Sequence, residues 1–118
     1  MSAAEDYQRL LKTRGIHLHG FGLPNIALER EDALVALELL RRAAIPILGG
    51  DVYFRRGDEI ELAYANWHSD ALPAEERAQY LRRTWDTTER YIRNFPPTSS
   101  DRVPIFTFVI PRSYGIAP

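Results

Sequence analysis

The chain has 118 residues, 45% hydrophobic and 26% charged, and fifteen Lys and Arg against sixteen Asp and Glu leave a net charge of −1. These are ordinary globular values: they suffice for a single domain over residues 1–118 with one continuous core, and they exclude a disordered or fibrous class. Balanced charge gives no cationic surplus for nucleic acid, and the absence of cysteine removes disulfides, thiolate metal sites and thiol nucleophiles.

Residues 3–14 read as a short helix with Tyr7, Leu10 and Leu11 on one face, and Gly15 stands where a helix stop adopts left-handed geometry. Glu5 and Asp6 occupy the place where a secretory signal would be basic and then apolar. Residues 16–24, with Gly20, Gly22 and Pro24, suit a loop or short edge strand. The clearest helix is 29–44. Ala33, Ala36, Leu37, Leu40 and Ala44 form a stripe that Leu34, Val35 and Leu39 widen, so burial on most sides is expected. Glu31 and Asp32 at its start and Arg41 and Arg42 at its end suit the helix dipole, and Pro46 prevents continuation.

Residues 47–54 and 60–67 are strand-like and form a hairpin around Gly57-Asp58. Pairing Phe54 with Ile60 through a three- or five-residue loop sets Val52 opposite Leu62 and Gly50 opposite Tyr64 on an apolar face. The other face then carries Arg55 opposite Glu59 and Tyr53 opposite Glu61. A two-residue Gly57-Asp58 turn would place Phe54 against Glu61 and mix the faces, so the odd loop is preferred. Leu72-Pro73-Ala74-Glu75 has the signature of a helix start, with the helix running to about Asn94 and Leu81, Trp85, Thr88, Ile92 and Phe95 as its core stripe. Residues 96–102 form a loop, and 103–110, apolar on both alternating faces, reads as a central strand. This order predicts an α+β fold: a small antiparallel or mixed sheet of three to four strands with about three helices packed against it.

Chemistry-bearing patterns are weak. His17 and His19, two apart on a strand, share a face but have no third ligand at informative spacing, and His68 beside Asp70 reads as surface polarity, so no metal is expected. Ser69, Ser99, Ser100 and Ser113 lack a nucleophile elbow, and Gly20, Gly22, Gly49 and Gly50 do not make a phosphate loop. Gly49-Gly50 suggests a bulge or a close backbone approach instead. Asp51 diagonal to Glu61 lacks the desolvated pocket that acid/base catalysis demands. No catalytic residue and no cofactor are expected.

The polar hairpin face gathers Asp51, Tyr53, Glu61, Ala63, Ala65 and Trp67, a flat surface of aromatics and acids suited to a protein partner, with Asp70 at its rim. Cover by a helix would instead make Trp67 core; the sequence leaves both readings open. The expected partner-binding residues are Asp51, Tyr53, Glu61, Trp67 and Asp70.

The string Ile45-Pro46-Ile47-Leu48-Gly49-Gly50-Asp51-Val52-Tyr53, then Glu61-Leu62-Ala63-Tyr64-Ala65-Asn66-Trp67, then Tyr91-Ile92-Arg93-Asn94, resembles the immunity protein 40 family of bacterial polymorphic-toxin systems over residues 29–110. The resemblance implies a small α+β protein encoded beside a toxin, which binds that toxin and blocks it without chemistry of its own. The competing expectation is a small metal- or ligand-binding protein or enzyme using His17, His19, His68 and nearby acids. The longest apolar runs, 43–48 and 106–110, are too short to span a bilayer. A cytoplasmic chain is expected, free of membrane contact, either monomeric or weakly homodimeric through a strand edge.

Overall fold

The computed structural model describes residues 2–22, 25–96 and 101–112. Helix α1 (Ala3–Arg14) begins at a capping box in which Ser2 accepts from the Glu5 amide while the Glu5 carboxylate turns back to Ser2, and it buries Tyr7 and Leu11. The helix stops at Gly15 as expected, but with extended backbone (φ −72°) in place of left-handed geometry. Glycine is needed there because a Cβ would lie 2.2 Å from the Leu11 carbonyl oxygen and 2.4 Å from Ile26 Cγ2.

A short edge strand β1 (Ile16–His17) and a 3₁₀ turn (His19–Phe21) precede β2 (Ile26–Glu29), which runs directly into α2 (Arg30–Arg42). Then come β3 (Gly49–Arg56), β4 (Glu59–His68), α3 (Arg77–Asn94) and β5 (Val103–Phe106). All strand pairs are antiparallel, in the order β1-β2-β5-β3-β4. The architecture is α+β with three helices, and five strands replace the expected three to four, β2 being the addition. As read from its two-sided apolar pattern, β5 lies at the centre of the sheet.

The helices pack on one face. Tyr7, Leu28, Leu37, Leu40, Ile92 and Phe106 anchor that core, in which α2 contributes Ala33, Ala36, Leu37 and Leu40. Helix α2 is less enclosed than expected, since Val35 faces solvent. The opposite face holds a smaller cluster of Leu18, Ala27, Tyr53 and Ile105, which covers the β2–β5 side and leaves the β3–β4 hairpin open. Two bonds moor α3 to the segment before β3: Ile47 N donates to Thr84 Oγ1 (3.2 Å) and Trp85 Nε1 to the Ile45 carbonyl (2.8 Å). The Arg30 guanidinium donates to the Ile92 carbonyl, joining the start of α2 to the end of α3.

The expected start of α3 at Leu72 is also corrected. Residues 72–76 form a turn in which Ala74 takes φ +62°, and the Glu75 carboxylate accepts from the Leu72 amide at 3.0 Å. Arg83 holds the same carboxylate through two contacts of 2.8 Å, so the helix begins one turn later behind Glu76. The expected stripe remains on its face: Thr84, Thr88 and Ile92 are buried, with Trp85 and Phe95 half-buried.

Candidate functional site

The hairpin register decides what the molecule presents to solvent. Arg56 pairs with Glu59, Arg55 with Ile60 and Phe54 with Glu61, so the turn is the two-residue Gly57-Asp58 form that the odd-loop expectation set aside. Gly57 takes φ +60°, which suits the first position of a primed hairpin turn. The apparent mixing of faces has a local remedy. Glu61, opposite Phe54, is held by Arg102 (2.9 Å), whose guanidinium also lies over the Phe54 ring at 4.5 Å.

Farther along, Tyr53 pairs with Leu62 while Val52 pairs with Ala65, leaving Ala63 and Tyr64 as a two-residue bulge. Two extra residues preserve the alternation of side chains, so Glu61, Ala63, Ala65 and Trp67 all point to the helices. Ile60, Leu62, Tyr64, Asn66 and His68 point outward. Relative to the expected register every side chain of β4 has changed face, as a one-residue slip requires.

Trp67 is accordingly core. Only 6% exposed, its indole N–H donates to Thr88 Oγ1 at 3.0 Å, and its ring stacks on Tyr91 at 4.8 Å and meets Phe108 edge-on. Opposite it, Gly50 explains the vacancy the ring fills. A Cβ on Gly50 would lie 2.4 Å from Trp67 Cη2 and 2.0 Å from the Thr107 carbonyl oxygen, which is the close approach that Gly49-Gly50 suggested.

Of the five expected partner-binding residues, Asp51 and Tyr53 share the outer face, and Asp70 follows the end of β4. Glu61 and Trp67 lie on the helix side. Tyr53 is itself nearly buried, and burial together with the Asp51 charge pushes its hydroxyl pKa up. What occupies the outer face was missed: Leu62 is 52% exposed, Tyr64 89% and Val109, bridged to Gly49 and alternating with buried Phe108 and Ile110, 41%. The signal was available in Gly50, whose missing side chain called for a large ring opposite it.

Tyr64 has φ +54°, left-handed geometry that costs a non-glycine residue about 1–2 kcal/mol. Its ring is nearly all in water, so no packing offsets that cost. The surrounding hollow, about 260 Å³, is shallow and lined by Asp51, Tyr53, Leu62, Tyr64 and Asn66 among others. Larger hollows along α3 are open depressions rather than enclosed cavities, and one is lined by Asp86, Glu89, Arg90 and Arg93.

The charges on this face are one-sided. Strand β4 carries no Arg or Lys, and the basic residues of β3 sit at the turn end, Arg55 on Glu29 (3.2 Å) and Arg56 near Glu61 and Asp101. At the other end Asp51 has no ion-pair partner among the described residues, and exposed Asp70 has His68 at 3.9 Å from its carboxylate while the Arg83 guanidinium donates to its backbone carbonyl. The edge is open as well. Asp51 donates its amide to the Thr107 hydroxyl and accepts from the Thr107 amide, just beyond β5 (3.0 and 2.9 Å), so Asp51 and Asn66 form a pair without mutual hydrogen bonds. The amide and carbonyl of Asn66 then point away from β3, toward a side of β4 that no described strand occupies.

The metal form of the histidine alternative has no cluster to rest on among the described residues. The His17 and His19 rings are 6.4 Å apart and tilted, and no group of three or more His, Asp or Glu among the described residues is arranged to hold a metal ion. No helix among the described residues is long and apolar enough to cross a membrane.

A family model described as immunity protein 40 matches residues 17–110 of the chain. No curated protein and no solved structure showed significant similarity to it.

Proposed function

Because the chain belongs to the immunity protein 40 family, we propose that it neutralises a cognate bacterial toxin by covering the toxin's functional surface with the outer face of the β3–β4 hairpin. The observation that carries this choice of face is the grouping of exposed Leu62, Tyr64 and Val109 beside Asp51, which has no ion-pair partner among the described residues, with exposed Asp70 at the end of the strand. A central aromatic and aliphatic patch rimmed by charge is the composition that protein interfaces favour. Asp51, Tyr53 and Asp70 keep the role read from the sequence. Trp67 and Glu61 serve it from behind, the first by bracing β4 against α3 and the second by locking to Arg102.

Binding alone suffices for this task, in the cytoplasm of the cell that makes the toxin, and no cofactor enters. Acids at the rim speed association with a basic surface and place carboxylates where a nuclease would seat phosphates. Co-expression with the adjacent toxin gene tests the class: rescue of growth and a one-to-one complex by light scattering are expected. The double substitution Asp51→Lys with Asp70→Lys tests the face. It should slow association markedly at low salt, and an unchanged rate and affinity would remove this face.

A further inference from the structure

Resting on the reading that the outer hairpin face meets the toxin, the geometry points to Tyr64 as a preset anchor: a phenol ring held out by the bulge to enter a cleft in the toxin whose rim is basic. Three features converge on this residue. The bulge at residues 63–64 interrupts an otherwise regular ladder, and a hairpin without those two residues would keep the same side-chain alternation, so the fold gains no facing from them. Tyr64 carries a positive φ in a residue type that resists it, and the ring is 89% exposed. Outliers of this kind persist where the surrounding structure enforces them, and they gather at binding sites. The bulge fixes the backbone and hence the direction in which the side chain leaves the strand, which removes the backbone part of the ordering cost on binding.

The chemistry of the recess follows from the neighbours. Leu62 beside the ring calls for an apolar lip. Asp51 has no ion-pair partner among the described residues and so calls for Arg or Lys on the partner, whereas Asp70 already has His68 near its carboxylate and Arg83 on its backbone carbonyl. Tyr64 stands out beside this shallow hollow with its ring 89% exposed, which makes this chain the donor of the knob and the toxin the donor of the cleft.

Calorimetric titration of the full chain against the catalytically inactivated product of the adjacent toxin gene, paired with thermal melts of the free chain, tests this. Tyr64→Ala should raise Kd at least about 30-fold, the scale of an interface hot spot, with Tm within about 2 °C of wild type. Tyr64→Gly should lose the same affinity while its Tm is equal or higher, because glycine adopts the left-handed geometry without strain. If both variants bind within threefold of wild type while Asp51→Lys with Asp70→Lys weakens binding, the anchor is wrong and the face stands. If all of them bind like wild type, the face itself is wrong. A clear drop in Tm for Tyr64→Ala would make the ring structural and overturn the anchor.

Discussion

Replacing Thr88 by Val isolates the bond that fixes the hairpin's facing. The substitution keeps nearly the same volume and removes the hydroxyl that accepts from the Trp67 indole N–H at 3.0 Å. Both residues are sealed, Thr88 fully and Trp67 at 6% exposure, so water cannot replace the lost partner. A buried donor left unpaired costs about 1–3 kcal/mol. For a chain of this length the unfolding entropy is about 0.25 kcal/mol/K, so Tm should fall by about 4–12 °C. Chemical denaturation of wild type, Thr88→Val, Trp67→Phe and the double variant closes a cycle, and a coupling energy of about 1 kcal/mol is expected between the two positions. If Thr88→Val stays within about 0.5 kcal/mol of wild type, the indole is not held against α3, and the assignment of β4's inner and outer faces fails with it.

Gly50→Ala should destabilise the fold by about 3 kcal/mol or more, because its methyl would sit 2.0 Å from the Thr107 carbonyl oxygen and 2.4 Å from the Trp67 ring; a near-native urea midpoint would contradict that packing. The Glu75 carboxyl is drawn down to about 2, first by its hydrogen bonds to Arg83 and then by the Leu72 amide. A carboxylate held below its ordinary value of 4.5 stabilises the fold above that pH and loses its effect as pH falls toward about 2. The Tm gap between wild type and Glu75→Gln should therefore be widest above pH 5 and close between pH 4.5 and 2. A gap that does not change with pH would refute the assignment.

Most of the elements were legible because each is governed by local chemistry. The face of Tyr7, Leu10 and Leu11 and the stripe around Leu37 place α1 and α2, and the two-sided apolar run of β5 places it at the sheet's centre. Strand β2 was hidden because its four residues, Ile26–Glu29, abut a helix that captures Glu29 as its cap, leaving no period to read. The Pro73 signature misled because a helix start and a turn share the same first residues, and Glu75 satisfies the Leu72 amide instead of capping a helix. The facing of β4 was the costly error. Local pairing preferred apolar Phe54 against Ile60, yet tertiary terms outweigh that choice: Trp67 buries a larger ring than Tyr64 would, finds a hydroxyl for its N–H on α3, and fills the space over Gly50. The proposed site therefore stays on the hairpin with Asp51 and Asp70 at its rim, and the exposed ring at its centre is Tyr64, because Trp67 is buried.

Hydrogen exchange on the one-to-one complex bears most directly on where the toxin docks. In the free chain the outward Asn66 amide lies on an open edge and should exchange quickly, while the α2 and α3 surfaces set the background. On adding toxin, residues 60–68 should gain protection while the outer surfaces of α2 and α3 remain unchanged. Protection confined to the α2 and α3 surfaces, with residues 60–68 exchanging as before, would contradict the assignment of the outer hairpin face as the site of neutralisation.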